Sequence, residues 1–154
     1  MALYVLDSGI LLGYVRGAPY AMFVEQRYQL MQPPNSAIVP EVVVAELKSL
    51  ALRSGWQDAK LSKLDELVHR FVVVPISHPS VVDRFAELDA YRLGKHPQRS
   101  LPPMTSARSV GDNDLWIGAV TSVLNAALLT TDHDFDVFDG VFLTRVYVDQ
   151  SAHP

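Results

Sequence analysis

Leu3-Tyr4-Val5-Leu6-Asp7 sets a short apolar run directly before an acid, and Leu128-Leu129-Thr130-Thr131-Asp132 repeats the arrangement near the other end of the chain. Runs that are apolar at successive positions, not at alternate ones, read as strands buried on both faces, the signature of a parallel sheet. Working outward, Ile10 to Val15 is a helix following the first strand and Glu25 to Leu30 a second, ended by Pro33-Pro34-Asn35-Ser36. Ala37-Ile38-Val39 is the next strand, and Pro40 suits the first position of a helix through about Arg53. A helix from about Gln57 to His69 carries Leu61, Leu64, Leu67 and Val68 as one stripe. Phe71 to Ile76 is a strand whose Pro75 marks an end or an edge. Pro79 to Leu93 is helical, with Val82, Phe85, Ala86 and Leu88 facing inward, and a helix capped by Asp112 or Asn113 runs to about Asn125. Ala127 to Thr131 and Phe142 to Val148 complete about five strands. Strands alternating with helices predict an α/β fold of three layers, α/β/α, around a mostly parallel sheet, with residues 1–154 as a single domain.

The bulk properties narrow the function. With 154 residues the chain can bury a core unaided, and with no cysteine it has no disulfides, thiolate zinc sites or cysteine nucleophile. The N-terminus lacks the basic and long apolar regions of a signal peptide, and no apolar run approaches the roughly 20 residues that span a bilayer. A cytoplasmic location without membrane attachment is expected. A net charge of -4 argues against a protein that coats nucleic acid nonspecifically, yet it suits a nuclease whose centre must be acidic.

Four acids carry the chemistry. Asp7 and Asp132 end strands, while Glu46 in Val44-Ala45-Glu46-Leu47 and Asp114 in Asn113-Asp114-Leu115-Trp116 sit in the first turns of helices. Each has an ordinary explanation alone, as a cap, a solvated helix face or a complement to the helix dipole. In an open α/β sheet, however, all four fall outside the carboxyl ends of the strands, where such folds keep their sites. Carboxylates gathered there repel one another unless a cation lies between them, and oxygen-rich clusters of this type suit Mg²⁺ or Mn²⁺. The histidines lack paired metal-binding spacing, and no glycine-rich phosphate loop is present.

The combination Leu6-Asp7-Ser8-Gly9-Ile10-Leu11, Val44-Ala45-Glu46-Leu47, Asn113-Asp114-Leu115-Trp116-Ile117-Gly118-Ala119 and Leu129-Thr130-Thr131-Asp132-His133-Asp134-Phe135 resembles the PIN-domain family, especially VapC-type toxins of bacterial toxin–antitoxin modules. The resemblance implies a metal-dependent ribonuclease in which a bound ion activates water to cleave an RNA phosphodiester bond. It places the acidic quartet on Asp7, Glu46, Asp114 and Asp132, with Asp7, Asp114 and Asp132 holding Mg²⁺ or Mn²⁺ and Glu46 acting through water. It also implies an antitoxin partner that threads a segment across the site, and a homodimer. Ser8, Asp136 and, to a lesser degree, Asp134 are further candidates.

One departure stands out: the family usually has Thr-Asn after the first Asp, where this chain has Ser8-Gly9. The loss of the amide raises the alternative of a catalytically weakened PIN-like module that binds RNA or a protein partner. Restoring it with Gly9→Asn is expected to maintain or increase activity. A haloacid-dehalogenase-type phosphatase would need an acid at position 9. The irregular stretch between Gly94 and Gly111 carries the one local positive cluster, Arg92, Lys95, His96, Arg99 and Arg108. As a functional loop it would grip RNA phosphates through Arg92, Lys95, Arg99 and Arg108; as an ordinary one it is solvated surface. Trp116 reads as core, not as a base-stacking platform.

Overall fold

A computed structural model describes residues 2–153. Five parallel strands, β1 (Tyr4–Leu6), β2 (Ala37–Pro40), β3 (Val72–Val74), β4 (Ala127–Thr130) and β5 (Thr144–Tyr147), form one sheet in the order β3-β2-β1-β4-β5. The chain steps outward from β1 to β2 to β3, then returns across the sheet to β4. With right-handed crossovers, that reversal puts the helices of the two halves on opposite faces. Helices α1 (Ser8–Arg16), α2 (Pro19–Tyr28), α3 (Glu41–Ser54) and α4 (Asp58–Arg70) belong to the first half, and α5 (Pro79–Arg92) packs with α6 (Asp112–Val123) in the second. The expected three-layer α/β/α architecture is therefore present.

The apolar runs form the central strands because every side chain there is removed from water: Val5, Leu6, Leu128 and Leu129 have no exposed surface. Burying such a side chain contributes roughly 1.5–3 kcal/mol. The reversal of strand order occurs between β1 and β4, paired in register from Tyr4↔Ala127 to Leu6↔Leu129. Open α/β sheets have a crevice at that point, beyond the strand ends. Asp7 and Asp132 emerge on either side of it.

Several boundaries differ from the expectations. Pro40 closes β2, paired with Val74, and serves as the N-cap of α3 instead of its first residue, so Glu46 lies in the second turn. Gly111, not Asp112 or Asn113, caps α6. Helix α2 begins at Pro19, well before Glu25, with proline preset for a first turn. On α5 the inward residues are Val81, Leu88 and Tyr91, while Val82 is 45% exposed and Ala86 is exposed. Tyr91 is almost completely buried and supplies the face that a reading for aliphatic residues shifts by one position. Trp116 is half-buried against Phe85, ring centroids 4.1 Å apart, as expected of core. Among the described residues, no helix is long and apolar enough to cross a membrane.

The α1–α2 corner explains one of the glycines. A Cβ on Gly13 would stand 2.6 Å from the Tyr20 ring, so only glycine lets that ring lie against the helix. The Tyr20 hydroxyl then donates to the Gly9 carbonyl at 2.7 Å, tying α2 to the first turn of α1 directly beside Asp7.

Candidate metal and phosphodiester site

Asp7 is the most enclosed acid, only 5% exposed. Its Oδ1 accepts from the Ser8 backbone N–H at 2.7 Å, the local bond of an N-cap, and its Oδ2 accepts from the Thr130 hydroxyl at 2.6 Å. Thr130 Oγ1 accepts in turn from the Asp132 N–H at 3.0 Å. One buried hydroxyl therefore joins the acids at the ends of β1 and β4. Burial raises the pKa of Asp7, the Thr130 and Ser8 hydrogen bonds oppose that rise, and the charges of Asp132 and Asp134 add to it. Each carboxylate oxygen keeps a further lone pair for a cation.

Asp114 projects from the first turn of α6 and is brought near Glu46 where α3 meets α6. Its pKa is pushed up to about 7, first by burial and then by the negative charges of Asp7, Asp132, Glu46 and Asp134. Glu46 follows the buried Val43 by three positions and precedes the buried Leu47, so it lies on the inward side of its helix and not on the solvated one. Burial raises its pKa, the Ser8 hydroxyl beside it lowers it, and Asp7 raises it further. Yet Glu46 Oε1 and Ser8 Oγ are both buried without completing an aligned hydrogen bond. A buried carboxylate oxygen without a donor is costly, and a cation or a held water is the usual remedy.

Side-chain oxygens of Asp114, Asp132 and Asp134 lie within 4.8 Å of one another, a spacing that fits a single cation. Asp134 is oriented by its N–H donating to Asp132 Oδ1 at 2.8 Å. Its pKa rises through burial first and the Asp132 charge second, while the charge of Arg108 counteracts them. Asp136 points elsewhere: its Oδ1 is 2.9 Å from Arg145 Nε, a charge contact without an aligned N–H, and its Oδ2 is 3.0 Å from His133 Nδ1. Of the two further acids, Asp134 joins the cluster and Asp136 does not.

The four basic candidates also separate. Arg92 pairs with Asp89 at 2.7 Å and donates to the Arg108 carbonyl at 2.8 Å, while the Arg108 N–H donates back to the Arg92 carbonyl. Arg99 stacks over Phe142, 4.6 Å from its centroid, and donates to the Val141 carbonyl. The 6%-exposed His96 anchors the same loop, its Nδ1 accepting from the Gln98 and Arg99 N–H groups and its Nε2 lying 3.3 Å from Glu87. Arg92 and Arg99 thus fasten the loop that carries Arg108. Lys95 is exposed and enters no ion pair among the described residues.

A cleft of about 480 Å³ runs from Glu46 along α1 and α3, lined by Ser8, Gly9, Asn113 and, at seven positions beyond Glu46 on the same helix face, Arg53. Arg53 is not among the residues that the acidic motifs single out, although its seven-residue spacing from Glu46 puts both on one helix face. Nor is Thr130, whose signal in the sequence is a hydroxyl at the end of an otherwise aliphatic strand.

The fold matches solved toxin–antitoxin proteins over nearly its whole length. VapBC2 from Rickettsia felis, bound to a DNA fragment from its promoter, superposes with a TM-score of 0.74 and 21% identity, covering 96% of this chain and 99% of that one. VapBC-1 from nontypeable Haemophilus influenzae gives 0.70 and 22%, with 94% and 97% covered. VapBC-5 from Mycobacterium tuberculosis gives 0.63 and 23%, with 96% and 100% covered. No curated protein matches the sequence closely enough to count as a relative. A family model for the PIN domain matches residues 4–141, a span that holds all four acids, and the chain belongs to the PIN domain family.

Proposed function

We propose that this single-domain protein is a Mg²⁺- or Mn²⁺-dependent endoribonuclease and the VapC-type toxin of a toxin–antitoxin pair. The observation that carries this reading is the convergence of Asp7, Glu46, Asp114, Asp132 and Asp134 to the point where Asp114 is pushed up to about 7. A cluster so unfavourable to itself is consistent with a place for positive charge. The partner assignment is supported by neighbours that are themselves toxin–antitoxin assemblies.

Asp114, Asp132 and Asp134 would hold the cation, with Asp7 behind them. When bound, the ion would supply Lewis acidity to the phosphodiester and stabilise its developing charge. Thr130 keeps Asp7 and the Asp132 backbone in register, so the carboxylates do not reorganise when substrate arrives. Glu46, raised in pKa and with its Oε1 in no aligned hydrogen bond, accepts the proton of the attacking water. Arg108, whose charge acts on Asp134, offers the phosphate a positive partner.

Purified protein incubated with mixed RNA and Mn²⁺ should cleave it, and Asp7→Asn should not. An amide at position 7 can still accept from Ser8 and donate to Thr130 Oγ1, so that variant stays folded. Absence of wild-type cleavage with either metal would sink the proposal.

A further inference from the structure

Beside the acids lies a flat surface that the reaction above does not use. His133, between Asp132 and Asp134 in the 3-10 turn His133–Phe138, stacks on Tyr147 with ring centroids 3.9 Å apart and planes inclined by 23°. Tyr147 ends β5 in register with Thr130, the residue that grips Asp7, so the platform stands on the same strand ends as the site. Three further contacts surround it. His133 Nδ1 is 3.0 Å from Asp136 Oδ2, Asp136 Oδ1 is 2.9 Å from Arg145 Nε, and the Arg145 guanidinium lies 5.9 Å from the Tyr147 ring centre. Although one face of the imidazole is covered by Tyr147, the His133 side chain remains 66% exposed, which leaves the other face open to solvent.

An exposed ring normally samples several rotamers. This one is fixed by an aromatic neighbour and a carboxylate that is itself fixed by an arginine, and ordering a ring in this way lowers the entropy lost when a flat ligand settles on it. Unpaired nucleobases are such ligands, and single-stranded RNA is commonly held by stacking on aromatic side chains, histidine included. We propose that the His133–Tyr147 stack is a base platform, taking one unstacked nucleobase of the RNA beside the scissile phosphate. This rests on the ribonuclease reading of the neighbouring acids. It also accounts for Asp136: that residue shapes the platform instead of holding metal.

The test uses a short single-stranded RNA, its binding followed by fluorescence anisotropy in EDTA, and a set of copies with one abasic position moved along the strand. His133→Ala should weaken binding of the intact RNA by roughly tenfold, within the range of one base stack, and should raise KM more than it lowers kcat. His133→Phe, which keeps a flat ring but not the bond to Asp136, should recover most of the affinity. One abasic position should cost the wild type the same factor and cost His133→Ala almost nothing, since both remove one interaction. Mn²⁺ affinity should be equal in the wild type and His133→Ala. If wild type cleaves RNA but the abasic penalties are identical in wild type and His133→Ala at every position, the platform is overturned and the ribonuclease stands. If the non-additive pattern appears without cleavage by the wild type, the platform stands and the ribonuclease falls.

Discussion

Thr131 Oγ1 occupies the place from which any side chain at Gly9 would have to grow: an ideal Cβ on Gly9 would lie 2.3 Å from it. Gly9 is the second residue of α1, so glycine is required there by close approach and not by an unusual backbone conformation. The missing amide is therefore no simple deletion, because a threonine hydroxyl from the end of β4 fills the space beside Ser8. This reverses the expectation for Gly9→Asn. The single substitution should lower thermal stability by about 1–3 kcal/mol, as overpacking does, and should lower cleavage with it. Gly9→Asn combined with Thr131→Ala should recover both, because the second change empties the colliding volume. Thermal denaturation and RNA cleavage of the two variants measure this directly; a stable, fully active single variant would show that Thr131 simply rotates away.

Thr130→Val preserves shape while removing the hydroxyl shared by Asp7 Oδ2 and the Asp132 N–H. Leaving buried polar groups without partners costs about 1–3 kcal/mol each, so the variant should be less stable by at least about 1 kcal/mol. It should also lose most activity and bind Mn²⁺ more weakly. Thr130→Ser should retain all three properties. Equal Mn²⁺ affinity in the valine and serine variants would remove Thr130 from any role in organising the acids.

Without metal, stability should fall as pH rises between about 4 and 7. Asp114 has an ordinary carboxylate value of 3.8 in the unfolded chain and about 7 in the folded one, so the folded state holds the proton more tightly across that window. Wherever the folded state binds more protons, stability decreases with pH, and the loss is complete once the pH passes the folded value. The effect is at most on the order of a few kcal/mol. Melting temperatures in EDTA should show this decline in the wild type and a flatter profile in Asp114→Asn, which should be the more stable protein at pH 8 and inactive. Saturating Mn²⁺ should raise the wild-type melting temperature most at high pH. A profile unaltered by Asp114→Asn would place the titrating group elsewhere.

The basic loop should divide into residues that anchor it and residues that meet RNA. Arg92→Ala and Arg99→Ala remove bonds to the Arg108 and Val141 carbonyls, so they should increase proteolysis between residues 94 and 110. Lys95→Ala and Arg108→Ala should leave the loop protected, weaken RNA binding, and reduce the slope of log affinity against log salt by roughly 0.7 for each single-strand phosphate that is no longer neutralised. An unchanged slope in the Lys95/Arg108 double variant would move the RNA path to the Arg53 end of the cleft.

Local pattern sufficed for the elements of this protein. Uninterrupted apolar runs such as Val5-Leu6 and Leu128-Leu129 suit strands buried on both faces of a parallel sheet, and acids placed directly after such strands emerge at its carboxyl edge. Hence the layer order, the approximate strand count and the neighbourhood of Asp7, Glu46, Asp114 and Asp132 were legible in one dimension. The direction and partner of each side chain were not. Asp134 and Asp136 are equivalent in composition and two residues apart, yet one faces Asp132 while the other faces Arg145, because a 3-10 turn rotates each residue by about a third of a circle. Gly9 and Thr131 are separated by almost the whole chain and meet only because β1 pairs with β4. Thr130 reads as one more strand residue until that pairing aims its hydroxyl at Asp7. Periodicity reports which face a residue occupies, whereas the partner it finds there depends on long-range packing that no local pattern encodes.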